Sequence, residues 1–148
     1  YIKRLIGIAG DTIQFVDGEL YINQKMIIRK KISSHQKINC GSTYFDANAY
    51  EETLPNGKKY IAVYRKDGSI LNTDKYVVPF NHYFFLGDNR DCSKDSRFLT
   101  SVGYVDHLNL VGKAKILFFS NDVKKGRLFE VWKWNKSIRL NRFLGQIE

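Results

Sequence analysis

Apolar and polar positions alternate along this chain in short runs, and turn residues separate the runs. Residues 13 to 16 read IQFV and residues 20 to 23 read LYIN, with Asp17-Gly18 between them. Two period-two runs joined by Asp-Gly predict a β-hairpin. Tyr1 to Ile8 is an apolar run broken by Lys3 and Arg4, predicted as a strand that ends at the turn Gly7-Ile8-Ala9-Gly10-Asp11. Met26 to Ile28 is a third short strand. Residues 29 to 58 lose the alternation, are rich in Lys, Ser, Asn and Gly, and close on the turn signature Leu54-Pro55-Asn56-Gly57. Lys59 to Tyr64 alternates again. Lys66-Asp67-Gly68-Ser69 is a further turn, and Lys75 to Pro79 leads into an apolar strand at His82 to Leu86. Residues 111 to 119, VGKAKILFF, read as a long buried strand. Helical periodicity is weak and β-branched and aromatic residues are plentiful, so the fold class is mainly β. The organisation expected is one β-rich core, residues 1–28 and 79–120, an inserted smaller lobe, residues 29–78, and a basic aromatic tail, residues 121–148.

Composition supports a packed chain: 43% of the 148 residues are apolar and 14% aromatic, which excludes a disordered polymer. No apolar run approaches the roughly 18 residues of a membrane span, and no signal peptide opens the sequence. The first residue is Tyr1 and not Met, so a fragment of a longer protein is expected. The net charge of +9 is unevenly placed. Lys25, Arg29, Lys30, Lys31 and Lys37 fall within residues 24–40 without an acid. A second excess lies in residues 121–148, and the remainder is close to balanced. Such stretches suit an anionic membrane surface or nucleic acid. Cys40 and Cys92 can pair only if the fold brings them together, and spacing does not decide that. His35, His82 and His107 are scattered without metal-ligand spacing. No metal and no cofactor is expected.

Two stretches carry candidate chemistry. Lys3 stands among Tyr1, Ile2, Leu5 and Ile6. A lysine amine held among apolar groups loses hydration of its ammonium form and can accept a proton from a serine hydroxyl. The other reading is a strand lysine that snorkels to water. The second stretch is LGDNRDCSKDSRF, residues 86–98, with Asp88, Arg90, Asp91, Lys94, Asp95 and Arg97 in cancelling signs. A calcium loop needs a central Gly and a terminal Glu, both absent here, and Arg90 and Lys94 intrude. Alternating signs suit internal ion pairing. Asp95 and Arg97 are two apart and can face the same way, and Ser93 would be held by that network.

Taken together, YIKRLIGIAGD and GDNRDCSKDSR resemble the bacterial type I signal peptidases. The family carries an Ile-Lys-Arg strand running into a Gly-x-x-Gly-Asp turn, and the loop Gly-Asp-Asn-Arg-Asp-Asn-Ser-x-Asp-Ser-Arg. Residues 87–97 match that loop except at Cys92, where Asn is usual, and Ala9 stands where Pro is usual. HYFFLGDNR and NLVGKAKILFFS also look like the family, and the likeness is weakest in residues 29–78. The resemblance implies an antiparallel β-sheet catalytic core with an extra lobe. It implies Lys3 as general base, Ser93 as the group that orients it, and Arg4, Asp95 and Arg97 as supports. Tyr1 and Ile2 would line the pockets for small substrate residues. The nucleophilic serine of the family lies upstream of the lysine, so it is expected outside this chain, and the chain alone is expected not to cleave. The implied substrates are secretory preproteins, cut by a Ser-Lys dyad at the outer face of the bacterial cytoplasmic membrane, with a monomer as the acting form. Trp132, Trp134 and Phe143 beside Lys133, Lys136, Arg139 and Arg142 suit an anionic lipid surface. Competing readings are a basic β-barrel that binds nucleic acid, and another Ser-Lys protease, a pilus-processing peptidase or a self-cleaving repressor. The electroneutral loop speaks against the first, so no nucleic-acid partner is expected. The length of the loop match speaks against the second.

Overall fold

The alternating runs become short antiparallel strands in the computed structural model. It describes every residue except Val123, Lys124, Leu128 and Glu148, and the side chains of all described residues except His35 and Asn141. In chain order the strands are β1 (Arg4–Gly7), β2 (Thr12–Val16), β3 (Glu19–Ile22), β4 (Lys25–Met26), β5 (Ile28–Cys40), β6 (Thr43–Thr53), β7 (Lys59–Arg65), β8 (Tyr76–Val77), β9 (His82–Leu86), β10 (Val105–Asp106), β11 (Ile116–Leu117) and β12 (Gly145–Gln146). Residues Tyr1–Leu110 and Val111–Glu148 form two compact units.

In the first unit, three sheets run in the orders β1-β9-β10, β4-β3-β2-β8 and β5-β6-β7, with every pairing antiparallel. The β2–β3 hairpin turns at Asp17 and Gly18, whose φ angles of 49° and 79° are the left-handed pair that a two-residue turn requires. Strand β2 buries Ile13 and Phe15, β3 buries Leu20 and Ile22, and β9 buries Phe84 and Leu86. These side chains meet Ile6, Tyr60, Ala62, Tyr64, Tyr76 and Val78 in one core.

Two expectations from the sequence differ from the structure. Residues 29–58, read as a stretch without regular alternation, hold almost all of the two longest strands, 13 residues in β5 and 11 in β6. The buried positions of β6 are Ala47, Ala49 and Glu52, small or charged residues that do not register as an apolar stripe. Most of β5 is exposed or half-buried, and its backbone ladder with β6 supplies the order. Conversely, VGKAKILFF is not a long buried strand: only Ile116 and Leu117 pair, with β12, while Val111 and Phe118 are exposed. The run finds only a two-residue partner strand, so its remaining apolar positions have no ladder to join. In this second unit a single helical turn, α1 (Trp134–Ser137), precedes an isolated bridge between Asn121 and Ile138. Phe143 packs against Phe118 and Phe119.

The β5-β6-β7 sheet is joined to the charged loop by a guanidinium with almost no access to water. Arg90, 1% exposed, donates to Glu52 Oε2, Tyr60 Oη and Tyr64 Oη, each at 2.8 Å. Both phenols donate in turn to the Glu52 carboxylate, at 2.6 and 2.5 Å. Burial is the main cause that pushes both tyrosines well above their ordinary pKa, so they stay protonated and remain donors. Burial disfavours the Arg90 charge, but Tyr64, Glu52 and Tyr60 outweigh it and hold the group protonated. Removing one partner of such a buried pair leaves the other charge unpaired, at about 3–5 kcal/mol. Glu52→Ala is therefore expected to lower the urea unfolding free energy of the intact protein by that amount. The double variant Glu52→Leu/Arg90→Met should lose much less than the sum of the single losses. Additive losses would show that the pair is not coupled.

Candidate active site

Strand register builds the site. β1 pairs with β9 so that Arg4 lies opposite Leu86, which sets Lys3 beside Gly87 at the start of the charged loop. Lys3 itself precedes β1, and Tyr1 and Ile2 before it are exposed. Lys3 Nζ donates to Ser93 Oγ at 2.8 Å. Ninety residues of sequence separate the two, and the β1–β9 ladder closes that distance.

Ser93 follows a short 3-10 turn, Arg90–Cys92, in extended conformation and is 8% exposed. It packs on the bare Cα of Gly87. A Cβ there would stand 2.1 Å from Ser93 Oγ and 2.3 Å from its Cβ, so no side chain larger than hydrogen fits without moving the serine. Gly87 is thus needed for space, not for backbone conformation. Sequence reasoning missed this role, because the glycine at a strand end reads first as a turn residue.

Behind Ser93 the loop is pinned by buried charge. The Asp95 carboxylate, fully buried, accepts from Arg97 Nε and Nη2, each at 2.8 Å, and from the Gly87 backbone N–H at 3.0 Å. Arg97 also donates to the Arg90 carbonyl. That bond connects the Asp95–Arg97 pair to the enclosed Arg90 network. Ser96, also buried, extends the strand edge: its N–H donates to the Phe85 carbonyl and its Oγ accepts from the Phe85 N–H. Arg4 lies elsewhere in the cluster. It makes a two-pronged bond to Asp88, at 2.8 and 3.0 Å, and its guanidinium lies 4.2 Å from the centre of the Tyr60 ring. Asp91 faces the β5-β6-β7 sheet, the long-hairpin sheet, accepting from the Arg65 N–H at 2.7 Å and from Ser69 Oγ at 2.9 Å. Cys92 is bridged to Cys40, at the end of β5.

The structure therefore brings Lys3 and Ser93 together, pairs Asp95 with Arg97, and gives Arg4 a partner of its own in Asp88. Glu52, Arg90, Asp91 and Gly87 belong to the same constellation and went unassigned in the sequence. Tyr60 and Tyr64, four apart on one face of β7, were the available signal that a polar group is buried beneath them. Nothing in the local sequence distinguishes Glu52 from its neighbour Glu51, whose partner is Lys59. Among the described residues no group of His, Cys, Asp and Glu is arranged to hold a metal ion.

Burial pushes the Asp95 carboxyl up, but the Arg97 hydrogen bonds and charge and the two backbone N–H groups together hold it below the usual carboxylate range. A carboxyl depressed in the folded state contributes stability that is present in full above its unfolded value, about 3.9. That contribution is lost as pH falls through the lower folded value. The difference in urea midpoint between the unmodified protein and Asp95→Asn should be constant from neutral pH to about pH 5 and narrow below about pH 4. A gap that widens on acidification would contradict the assignment.

The family model described as "Signal peptidase, peptidase S26" matches residues 1–119. A signal peptidase I of Rickettsia canadensis is 40% identical over 158 aligned positions, covering 96% of this chain and 57% of the relative. That of Rickettsia conorii has the same identity and coverage over 159 positions. The chain thus spans a little over half the length of these relatives. A solved signal peptidase I from Enterococcus faecalis V583 is 26% identical, with 74% of this chain and 78% of that one covered and a TM-score of 0.37.

Proposed function

The chain belongs to the signal peptidase family, peptidase S26, and on that premise we propose that it is the lysine-bearing part of a serine endopeptidase that removes signal peptides from secretory preproteins. The observation that carries this reading is the 2.8 Å contact of Lys3 with a nearly buried serine, backed by a buried ion-pair network. Lys3 is the general base. Ser93 accepts a hydrogen bond from its amine and fixes the direction in which the remaining lone pair points. Ser93 is not assigned as the nucleophile, because it is 8% exposed and its oxygen lies against Gly87 and accepts from Lys3. The attacking hydroxyl is assigned to a serine upstream of Lys3, as the family resemblance implies. In this mechanism Lys3 takes the proton from that serine as it attacks the carbonyl, an acyl-enzyme forms, and the amine then activates water. Arg4, Asp95 and Arg97 hold the loop, and Tyr1 and Ile2 line the substrate edge. Neither the nucleic-acid reading nor the other Ser-Lys protease readings are retained, since family membership speaks for signal peptide removal.

The test uses the full-length protein in detergent with a preprotein carrying an Ala-x-Ala cleavage site. Lys3→Ala should lower kcat by at least about 10²–10⁴-fold. Lys3→Arg should fail equally, because a guanidinium does not give up its proton. Ser93→Ala should fall between these and the unmodified protein, since the base remains and only its orientation is lost. Undiminished cleavage by Lys3→Ala would overturn the assignment.

We assign the protein to the outer face of the bacterial cytoplasmic membrane, acting as a monomer, with anionic lipid as a partner of the second unit. Among the described residues no helix is long and apolar enough to cross a membrane. Trp132, 71% exposed, and the exposed Phe129 and Phe143 stand beside Lys133, Lys136 and Arg142, which supports contact with lipid headgroups. The tail residues Val123, Lys124, Leu128 and Glu148 lie outside the described residues. Flotation with vesicles of anionic phospholipid should recover less of a Trp132→Ala/Trp134→Ala variant than of the unmodified protein. Equal recovery would remove the lipid assignment.

A further inference from the structure

The disulfide between Cys40 and Cys92, with a Cα–Cα distance of 5.1 Å, joins two places that the sequence keeps 52 residues apart. Cys40 is the last residue of β5, at the tip of the β5–β6 hairpin. That tip extends beyond the β7 ladder: β7 ends at Arg65, opposite Ala47, so Thr43 to Phe45 have backbone partners in β5 alone. Two contacts join the tip to the end of β7. Lys66 N–H donates to the Asp46 carbonyl at 2.9 Å, and the Arg65 guanidinium lies 3.6 Å from the centre of the Phe45 ring.

On the other side of the bond, Cys92 adjoins Ser93. The loop before it is tied by Asp91 to Arg65 and Ser69, and the loop after it by Asp95, Ser96 and Arg97. Ser93 and Cys92 lie between those two anchors. The Ser93 hydroxyl is committed to Lys3 and the Cys92 side chain to Cys40. The crosslink is therefore the side-chain hold on the residue whose backbone presents Ser93. In the resembling loop this position carries Asn, whose amide is able to hydrogen-bond to neighbouring groups where Cys92 forms a covalent bond.

We propose that the Cys40–Cys92 disulfide is a positioning element of the site. It fixes the backbone that sets Ser93 against Lys3, so that the oxidised protein is the fully active form. This rests on the peptidase reading above, and an oxidising compartment outside the cytoplasm suits it. Reduction by dithiothreitol breaks the S–S bond and gives two thiols. The two electrons and two protons come from the dithiol, which closes to its own ring disulfide.

The experiment uses the full-length protein isolated without reductant. Alkylation should leave Cys40 and Cys92 unlabelled before reduction and label both after it; free thiols in the native protein would overturn the proposal. Steady-state cleavage, assayed well below the thermal midpoint of every variant, should show kcat of Cys92→Ser, Cys40→Ser and the reduced protein down by about ten- to a hundredfold, with KM unchanged. The double variant Cys40→Ser/Cys92→Asn should regain most of kcat while its thermal midpoint stays lowered. That pattern separates positioning from simple stabilisation, because the amide restores the hold on Ser93 without restoring the crosslink. If the serine variants keep the kcat of the unmodified protein, or if activity follows only the thermal midpoint and Asn at 92 restores nothing, the disulfide is structural and the proposal is wrong. If the unmodified protein does not cleave the preprotein, the peptidase reading itself fails and the proposal falls with it.

Discussion

A guanidinium sealed from water has to be paired, and the architecture of this protein follows from how Arg90 is paired. Its side chain is enclosed by Glu52, Tyr60 and Tyr64, which come from the long-hairpin sheet and not from the loop that carries Arg90. Satisfying that one charge requires the sheet and the loop to dock. Once docked, the Arg90 carbonyl is in place to accept from Arg97, Arg97 is in place to clamp Asp95, and Asp95 is in place to accept the Gly87 N–H. Gly87 then supplies the gap that Ser93 fills. Each step is short-range, and together they carry positional information from the β6 interior to the amine of Lys3.

The balanced charge of the loop follows from this arrangement. Asp95 cancels Arg97 within the loop and Glu52 cancels Arg90 from β6, so all four can be buried, where any one alone would be strongly disfavoured. Asp88 and Asp91 are less buried and point outward to Arg4 and to the β7 end. The loop is thus a packed network in which the inner charges set its shape and the outer ones attach it to the neighbouring strands. The proposed mechanism needs little more from this part of the protein than a lysine amine held in one direction. Such orientation is worth providing with rigid groups, since small misplacements of a reacting group weaken catalysis strongly.

The long-hairpin sheet enters the site by two routes. Glu52 and the two tyrosines hold the loop from below through Arg90, and Cys40 holds it at Cys92, next to the serine. The basic residues of β5 lie on the side of this sheet that has no further strand, where lysines are a common protection for an open edge. That is a sufficient structural reason for part of the positive charge. The charge of the second unit is accompanied by exposed aromatics and is read differently for that reason.

Much of this was legible in the sequence. Alternation marked β2, β3 and β7, an apolar run marked β9, and Asp17-Gly18 marked the turn between the first two, because burial patterns and left-handed turn residues are local properties of the chain. The spacing of Asp95 and Arg97 announced their pairing, and the loop motif named the family. Other features had no local signature. Residues 29–58 read as irregular because β6 buries alanines and a glutamate, and VGKAKILFF read as a buried strand because its apolar run gives no sign of whether a partner exists. The contact of Lys3 with Ser93, the burial of Glu52, the gap above Gly87 and the choice of Cys40 as partner for Cys92 depend on which strands lie side by side. Sequence determines which residues favour strand or turn and which charges can cancel. Tertiary structure decides which of them meet, because contact across 90 or 52 residues is set by sheet register and burial and not by neighbouring side chains.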